Sequence, residues 1–525
     1  MEKIKSNSFV LICSLIAAAA MITIWFLPWR FQVNDDEIMM WLVSGAYTGT
    51  PESYAVFIHP ILSWTFSKLY TFFPSVPWYP LTWFLVIWLS FVALTLSLNQ
   101  SKIRLNEKIL LVLFSLCLFL HFALFLQFTI VAGIAGFSGL LLLLCIGGVK
   151  KLPLFFFSLI LISTSLLIRW ESFVLILLSF GLYILIFKSV REILNSLTWY
   201  LLPVLILVAI LTSKILWEKQ SEYSDFIQYN KARAAVSDHP ISYQLSLERD
   251  LEINSKWFFF SQWMMEDERY PITDLKERKS ELDVELFSFD QVWNSLYRLF
   301  LVMKTEAFKS IFSFMLVAYL IFAFNASKKI LIFLSLWMLF FLVFNHFFIL
   351  NGRVIILFFL PFLFLSVVEP HLNAMSSKFS IIASLLLLLF FSFHILNFFS
   401  EAKARKIMQK EFLKLTAIIP KGSLLVIEGY KENFLGIDYT KENPVPFLSL
   451  GWISQSPFQH KKLQHFNLEQ ISDADEYYLL GVDLNKEFYF SDYMRFLKEN
   501  YKLESKVEEE NFILFHYLKV YNTSK

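Results

Sequence analysis

Charge and cysteine are scarce in this chain, and the short motifs that mark many soluble catalysts are missing. Asp, Glu, Lys and Arg make up 17% of its 525 residues, where soluble domains run near 25%. The three cysteines, Cys13, Cys117 and Cys145, all lie inside apolar runs and read as small buried hydrophobes. None is left in the polar segments to build a disulfide framework, so cysteine usage does not indicate a redox compartment. There is no Gly-rich phosphate loop, Walker motif, HExxH, CxxC or internal repeat. That removes the usual signatures of nucleotide binding and zinc peptidase chemistry. A net charge of +2 implies neither nucleic acid nor another polyanionic partner.

What the chain does have is hydrophobic residues, 57% of the total, with 59 Phe. Runs near the length needed to cross a bilayer, about 20 residues, cover approximately 8–28, 78–98, 108–126, 128–148, 152–168, 171–187, 197–216, 308–324, 330–350, 353–368 and 379–398. The expected fold is therefore mainly α: a polytopic transmembrane helical bundle of about eleven spans. The first segment ends TIWFLPWR without a small-residue cleavage site, so it is expected to be a retained span. Basic residues fall in alternate short loops: Lys3 and Lys5; Lys102, Arg104 and Lys108; Lys150 and Lys151; Lys188 and Arg191; Lys328 and Lys329. Eleven spans put all five groups on one side, which the positive-inside rule makes cytoplasmic. The N-terminus is then cytoplasmic, and residues 1–398 form the membrane domain. The opposite face receives loop 29–77, Gln127, Arg169-Trp170-Glu171, the large loop 217–306, Asn351-Gly352-Arg353 and a soluble domain, 399–525. The basic stretch 401–406 also falls there, as long translocated segments allow.

Loop 29–77 carries two amphipathic stretches, Ile38–Val43 and Ile61–Tyr70, expected as short helices lying at the interface. Thr48-Gly49-Thr50-Pro51 turns between them. Loop 217–306 reads as helical. The last domain reads as small and α/β, with strands over Ser423–Glu428 and Tyr477–Val482, a helix over Ser491–Asn500, and a final hairpin divided at Lys506–Glu510.

Three carboxylates, Asp35, Asp36 and Glu37, open the first of these helices. One reading makes them catalytic, as a general base, with Asp35 and Asp36 also able to hold a divalent cation such as Mg or Mn. The other makes them a solvated helix start, with Asn34 as N-cap and acids favoured by the dipole. His59 precedes Pro60 and is therefore extended; it is either a contact for a phosphate or carboxylate or an interfacial histidine without a role. Arg169 and Arg353 lie at outer span ends, where a guanidinium suits a phosphate. Glu171 is either a site residue or the partner of Arg169. Asn230 and Arg233 are weaker binding candidates in a charge-rich loop. His121 and Gln127 near the outer end of the third span, and Asn345 and His346 late in the ninth, either line a cavity or are satisfied core polar groups; His394 reads as structural.

An acidic cluster just after the first span, an amphipathic first outer loop, ten or more spans and a soluble outer domain together resemble the GT-C glycosyltransferases. That superfamily includes protein O-mannosyltransferases, lipid A aminoarabinose transferases and oligosaccharyltransferases. Asp35-Asp36-Glu37 matches its acidic pair. The WWDYG of oligosaccharyltransferases is absent. The stretch NDDEIMMWLVSGAYTGTP also looks like uncharacterised bacterial membrane proteins encoded near capsule and cell-wall polysaccharide genes. The resemblance implies an enzyme of the bacterial inner membrane that takes a polyprenyl-phosphate-linked sugar as donor and a glycan, lipid or protein as acceptor. Transfer would be inverting, with Arg169 and Arg353 on the lipid phosphate. A capsule or O-antigen polymerase is the first alternative. A flippase or transporter is the second, disfavoured by spans without mid-span charge.

Overall fold

A computed structural model describes residues 2–521 apart from 102, 147–150, 249–250, 267–268, 306–326, 369–376, 430–438, 440 and 483–486. The chain forms a polytopic helical bundle capped by a small α/β unit. In order, the elements are α1 (Glu2–Trp25), β1 (Arg30–Phe31), α2 (Asn34–Ser44), α3 (Pro60–Phe72), α4 (Trp78–Gln100), α5 (Leu105–Leu124), β2 (Phe125–Leu126), α6 (Phe128–Ile146) and α7 (Leu152–Phe187). There follow α8 (Val190–Asn195), α9 (Leu197–Gln220), α10 (Ser224–Ser237), α11 (Pro240–Glu248), α12 (Lys256–Ser261), α13 (Ile272–Leu286) and α14 (Phe289–Thr305). The chain continues through α15 (Lys328–Phe347), α16 (Gly352–Val368), α17 (Ser377–Thr416), β3 (Leu424–Glu428), α18 (Pro457–Gln464), β4 (Glu476–Val482), α19 (Phe490–Phe496), β5 (Tyr501–Glu508) and β6 (Phe512–Lys519).

Among the described residues, eight helices are long and apolar enough to cross a membrane, and Gly352–Pro361 is a shorter apolar helix. One of the eight, α7, is two spans. Its 36 residues would reach about 54 Å if straight, far beyond a hydrocarbon core of about 30 Å. Arg169 inside it has extended dihedrals, φ −156° and ψ 96°. Both limbs flank the same stretch of α6. A Cβ on Gly136 would fall 2.7 Å from Ser165 and 2.9 Å from Phe173, and one on Gly139 would fall 2.9 Å from Ser158. The Phe137 and Phe180 rings also meet, at 6.1 Å. The chain therefore folds back at Arg169 into a hairpin, as expected for spans 152–168 and 171–187. The small side of α6 lets both limbs approach closely. The expected span 308–324 lies outside the described residues.

The first outer loop departs from expectation. Helix α3 exposes Ile61, Trp64 and Phe72, which suits a membrane interface. Helix α2 does not, because Ile38–Ser44 are all buried. The C-terminal unit covers it: Trp41 packs edge-on against Tyr439 and Phe447, and Val445 donates its backbone N–H to Ala46 O. The Ser449 amide donates to the Tyr47 hydroxyl. The amphipathic pattern was real, but a protein surface takes the place of the lipid.

The C-terminal sheet has the order β3-β4-β6-β5, with β3 parallel to β4 and the other pairs antiparallel. Strand β5 runs through Glu508, so the last hairpin turns at 509–511, at the end of the expected division 506–510 and one residue beyond it. Helix α17 passes unbroken through the expected boundary at 398/399. It fixes the first outer loop through Arg30 Nε to Glu401, 2.7 Å, and Arg405 to Pro28 O, 2.7 Å.

Candidate functional site

At the end of the bundle under the C-terminal unit lies a cavity of about 1780 Å³. Segments far apart in sequence converge on it. Its lining includes Arg30 and Asp35 from the first outer loop, Arg169 and Glu171 from the α7 hairpin tip, Asn230, Arg233 and Asp238 from α10 and its end, and Arg353 from the start of α16. Below this charged belt the lining is apolar, with Val174, Leu175, Leu178, Phe344, Phe348 and Ile355.

The first turn of α2 sorts the three carboxylates, because successive helical residues point about 100° apart. Val33 occupies the N-cap in extended conformation and Asn34 is the first helical residue, so Asn34 does not cap as expected. Asp35 lines the cavity and sits 3.8 Å from the Arg353 guanidinium. Asp36 turns the other way and is fully buried. It accepts from the Tyr79 hydroxyl (2.9 Å) and from the Phe128 backbone N–H (3.2–3.3 Å). Phe128 opens α6, so Asp36 satisfies an orphan amide at that helix N-terminus from 92 residues away. Burial pushes its carboxyl up to about 8, against the pull of the Tyr79 and Phe128 hydrogen bonds. Glu37 is also buried, close enough to Arg405 for their charges to interact. Neither Asp36 nor Glu37 is in the lining.

Asp35 and Asp36 therefore do not converge on a point where a divalent cation could be shared. Both oxygens of Asp36 already accept hydrogen bonds, and Asp35 sits beside the Arg353 guanidinium. No cluster of three or more His, Cys, Asp or Glu capable of holding a metal occurs among the described residues.

His59 lies outside the cavity lining as well. Its Nδ1 accepts from the Ile61 N–H (3.2 Å) and its Nε2 lies 3.2 Å from both Ile210 O and Ser213 Oγ. It caps α3 and ties it to α9. Burial lowers its pKa.

Arg169 and Glu171 form an ion pair at 3.1 Å, and both still line the cavity. The Arg169 guanidinium lies over the rings of Phe57 and Phe128, 5.7 and 5.5 Å from their centroids. Arg233 is 1% exposed. It donates to Gly451 O (3.1 Å), Ser454 O (3.4 Å), Trp452 O and the Asn230 side chain. Arg233 thus holds the 451–454 loop of the C-terminal unit against α10, and burial brings its pKa down to about 10.

Two further groups stand out: Asp238, which sequence reasoning did not single out, and Gln127, which it named at an outer span end. Asp238 is exposed to solvent where it lines the cavity. Desolvation by the surrounding protein raises its pKa and the Asp35 charge adds to the rise, while Arg353 and Arg169 oppose it. Gln127, 1% exposed, borders the same space, and neither of its side-chain amide atoms has a partner among the described residues. Asp238 sat in a charge-rich loop, where one carboxylate looks like any other. Gln127 did show a signal, a polar residue at an outer span end. His121 and His394 bond to each other at 2.8 Å and both line the cavity, so they are not enclosed core groups.

The cavity can thus hold an elongated amphiphile with an apolar tail below, an anionic group between guanidinium groups, and a carboxylate beside that group. No family model matches the chain, and no curated protein does. Among solved structures, the chain is similar in outline to that titled ArnT from Cupriavidus metallidurans in the apo state, with a TM-score of 0.40 and 10% identity over 96% of this chain and 97% of that one. At that distance the likeness carries no argument about chemistry.

Proposed function

We propose that the chain is a membrane glycosyltransferase of the GT-C type, moving a sugar from a polyprenyl-phosphate donor to an extracytoplasmic acceptor with inversion. One observation carries this reading. A single cavity joins an apolar slot among the spans to a belt where Asp35 stands beside Arg353, with Arg169 and Asp238 close by. A polyprenyl chain enters from the membrane plane and occupies the slot. Its phosphate then lies at the height of Arg169 and Arg353, whose planar forks match phosphate oxygens.

The reaction follows from that placement. The acceptor hydroxyl attacks the anomeric carbon from the face opposite the phosphate. Asp35 takes the hydroxyl proton as the new C–O bond forms. The bond from the anomeric carbon to the phosphate oxygen breaks, and the electron pair leaves with polyprenyl phosphate. The arginines stabilise the charge that develops there. Asp36 and Glu37 serve the fold. The cytoplasmic N-terminus and extracytoplasmic C-terminal unit belong to the same proposal.

The test uses the full chain in lipid nanodiscs with polyprenyl-phosphate sugars as donors and envelope extract as the acceptor pool. Release of polyprenyl phosphate is followed. Asp35→Asn should slow it by about 10²–10⁴-fold, whereas Asp36→Asn and Glu37→Gln should retain most of the rate. Wild-type transfer by Asp35→Asn would sink the mechanism. Intact polymer assembly without that carboxylate would favour a polymerase.

A further inference from the structure

Trp263 occupies a position that local backbone physics reserves for glycine. Helix α12 ends at Ser261, and Trp263 has φ +63°, in the left-handed region. Its N–H donates to Phe260 O (3.1 Å), and the next amide, Met264, donates to Phe259 O (3.0 Å). This paired pattern is the Schellman termination, whose left-handed residue is usually Gly because a Cβ there is strained. A bulky aromatic in that conformation is a genuine outlier, of a kind that clusters at ligand clamps.

Core packing does not account for it. Trp263 is 44% exposed and lines the cavity. Its ring rests against Gly451, itself at φ +99°, where an added Cβ would lie 3.5 Å from the indole. The carbonyl of Gly451 is held by Arg233. Strain on one side and a clamped loop on the other thus present one half-open indole to the cavity. Gln262, Glu487 and Phe488 line the same cavity. An exposed ring in a cavity whose lining also carries amide and carboxylate groups is chemistry suited to a sugar, whose C–H face stacks on the ring while its hydroxyls bond to polar groups of the lining.

We infer that Trp263 is the stacking platform of an acceptor subsite, and that the acceptor presents a sugar ring there. This rests on the transferase reading above and narrows its acceptor to a saccharide, free or lipid-linked.

Strain and function separate cleanly at this residue. Trp263→Gly removes the ring and relieves the backbone, so the protein should melt at or above the wild-type temperature. Trp263→Phe keeps a ring. Membranes carrying wild type, Trp263→Gly or Trp263→Phe are given radiolabelled polyprenyl-phosphate sugar. Label is then partitioned into solvent-extracted glycolipid, aqueous polysaccharide and protease-released peptide. Wild type should label one of the two saccharide fractions. Trp263→Gly should lower that label about tenfold, the scale of one aromatic contact, with affinity for polyprenyl phosphate unchanged. Trp263→Phe should recover most of it. Label in the peptide fraction would overturn the inference. So would undiminished transfer by Trp263→Gly, or a loss accompanied by a fall in melting temperature that Phe fails to reverse. No label in any fraction with wild type would instead refute the transferase reading itself.

Discussion

Replacing Asp36 separates a structural carboxylate from its neighbour Asp35, the proposed base. Asp36→Ala leaves the Phe128 amide and the Tyr79 hydroxyl without their shared acceptor, both deep inside the protein. Each orphaned buried donor costs about 1–3 kcal/mol, so the variant should lose roughly 2–6 kcal/mol, a large part of a typical folding free energy of about 5–15 kcal/mol. Asp36→Asn keeps an acceptor oxygen and should cost only about 1 kcal/mol. The pH dependence sharpens the test. In the folded protein the Asp36 carboxyl is pushed up to about 8, while an unfolded Asp titrates near about 4. A raised folded pKa gives stability that is full below the unfolded value and is lost as pH rises through the folded one. Asn does not titrate. The gap in melting temperature between wild type and Asp36→Asn, read in detergent at several pH values, should therefore favour wild type most at acid pH and shift toward the Asn variant, reversing sign, as pH rises toward 8. A gap that stays constant, or an Ala variant that melts with wild type, would refute this placement of Asp36.

Other residues give distinct outcomes. Arg169→Ala should weaken polyprenyl phosphate binding about 10–100-fold, the scale of a charge-assisted contact, and Arg169→Lys should recover it only in part because the fork is lost; equal affinities would remove Arg169 from the phosphate. Arg233→Ala deletes a buried cation that binds three backbone carbonyls. It should loosen the 451–454 loop and cost about 3 kcal/mol or more, visible as faster proteolysis there. His59→Ala should lower stability by about 1 kcal/mol through loss of the α3 cap and leave donor KM unchanged, which transfer kinetics would check.

The helical spans were legible because uninterrupted apolar runs have few alternatives in a bilayer. Even the α7 hairpin could be read, since Arg169-Trp170-Glu171 interrupts a run too long for one crossing. Strands β3 and β4 followed from their buried apolar runs and β6 from its aromatics, while the exposed β5 was legible only as its hairpin partner. What could not be read was which surface covers α2. An amphipathic helix buries its apolar face equally well in lipid or in protein, and the covering residues Tyr439 and Phe447 lie 400 positions away. The candidate site was half legible. Asp35, Arg169 and Arg353 were identifiable as charges at span ends. That Asp36 faces inward depends on Tyr79 and Phe128, and no local pattern encodes those partners. Trp263 was invisible because its meaning lies in a backbone dihedral.

The most direct test of the proposed donor site is photo-crosslinking with a polyprenyl phosphate carrying a diazirine in its lipid chain, on the full protein in nanodiscs, mapped by peptide mass spectrometry. Labelling should concentrate on the apolar slot, in peptides containing Leu175 and Leu178, Phe344 and Phe348, or Ile355. Unlabelled polyprenyl phosphate should compete it away, and Arg169→Ala should reduce it. Label spread over the outer faces of the bundle, or label in the slot indifferent to the phosphate, would contradict the placement of the donor.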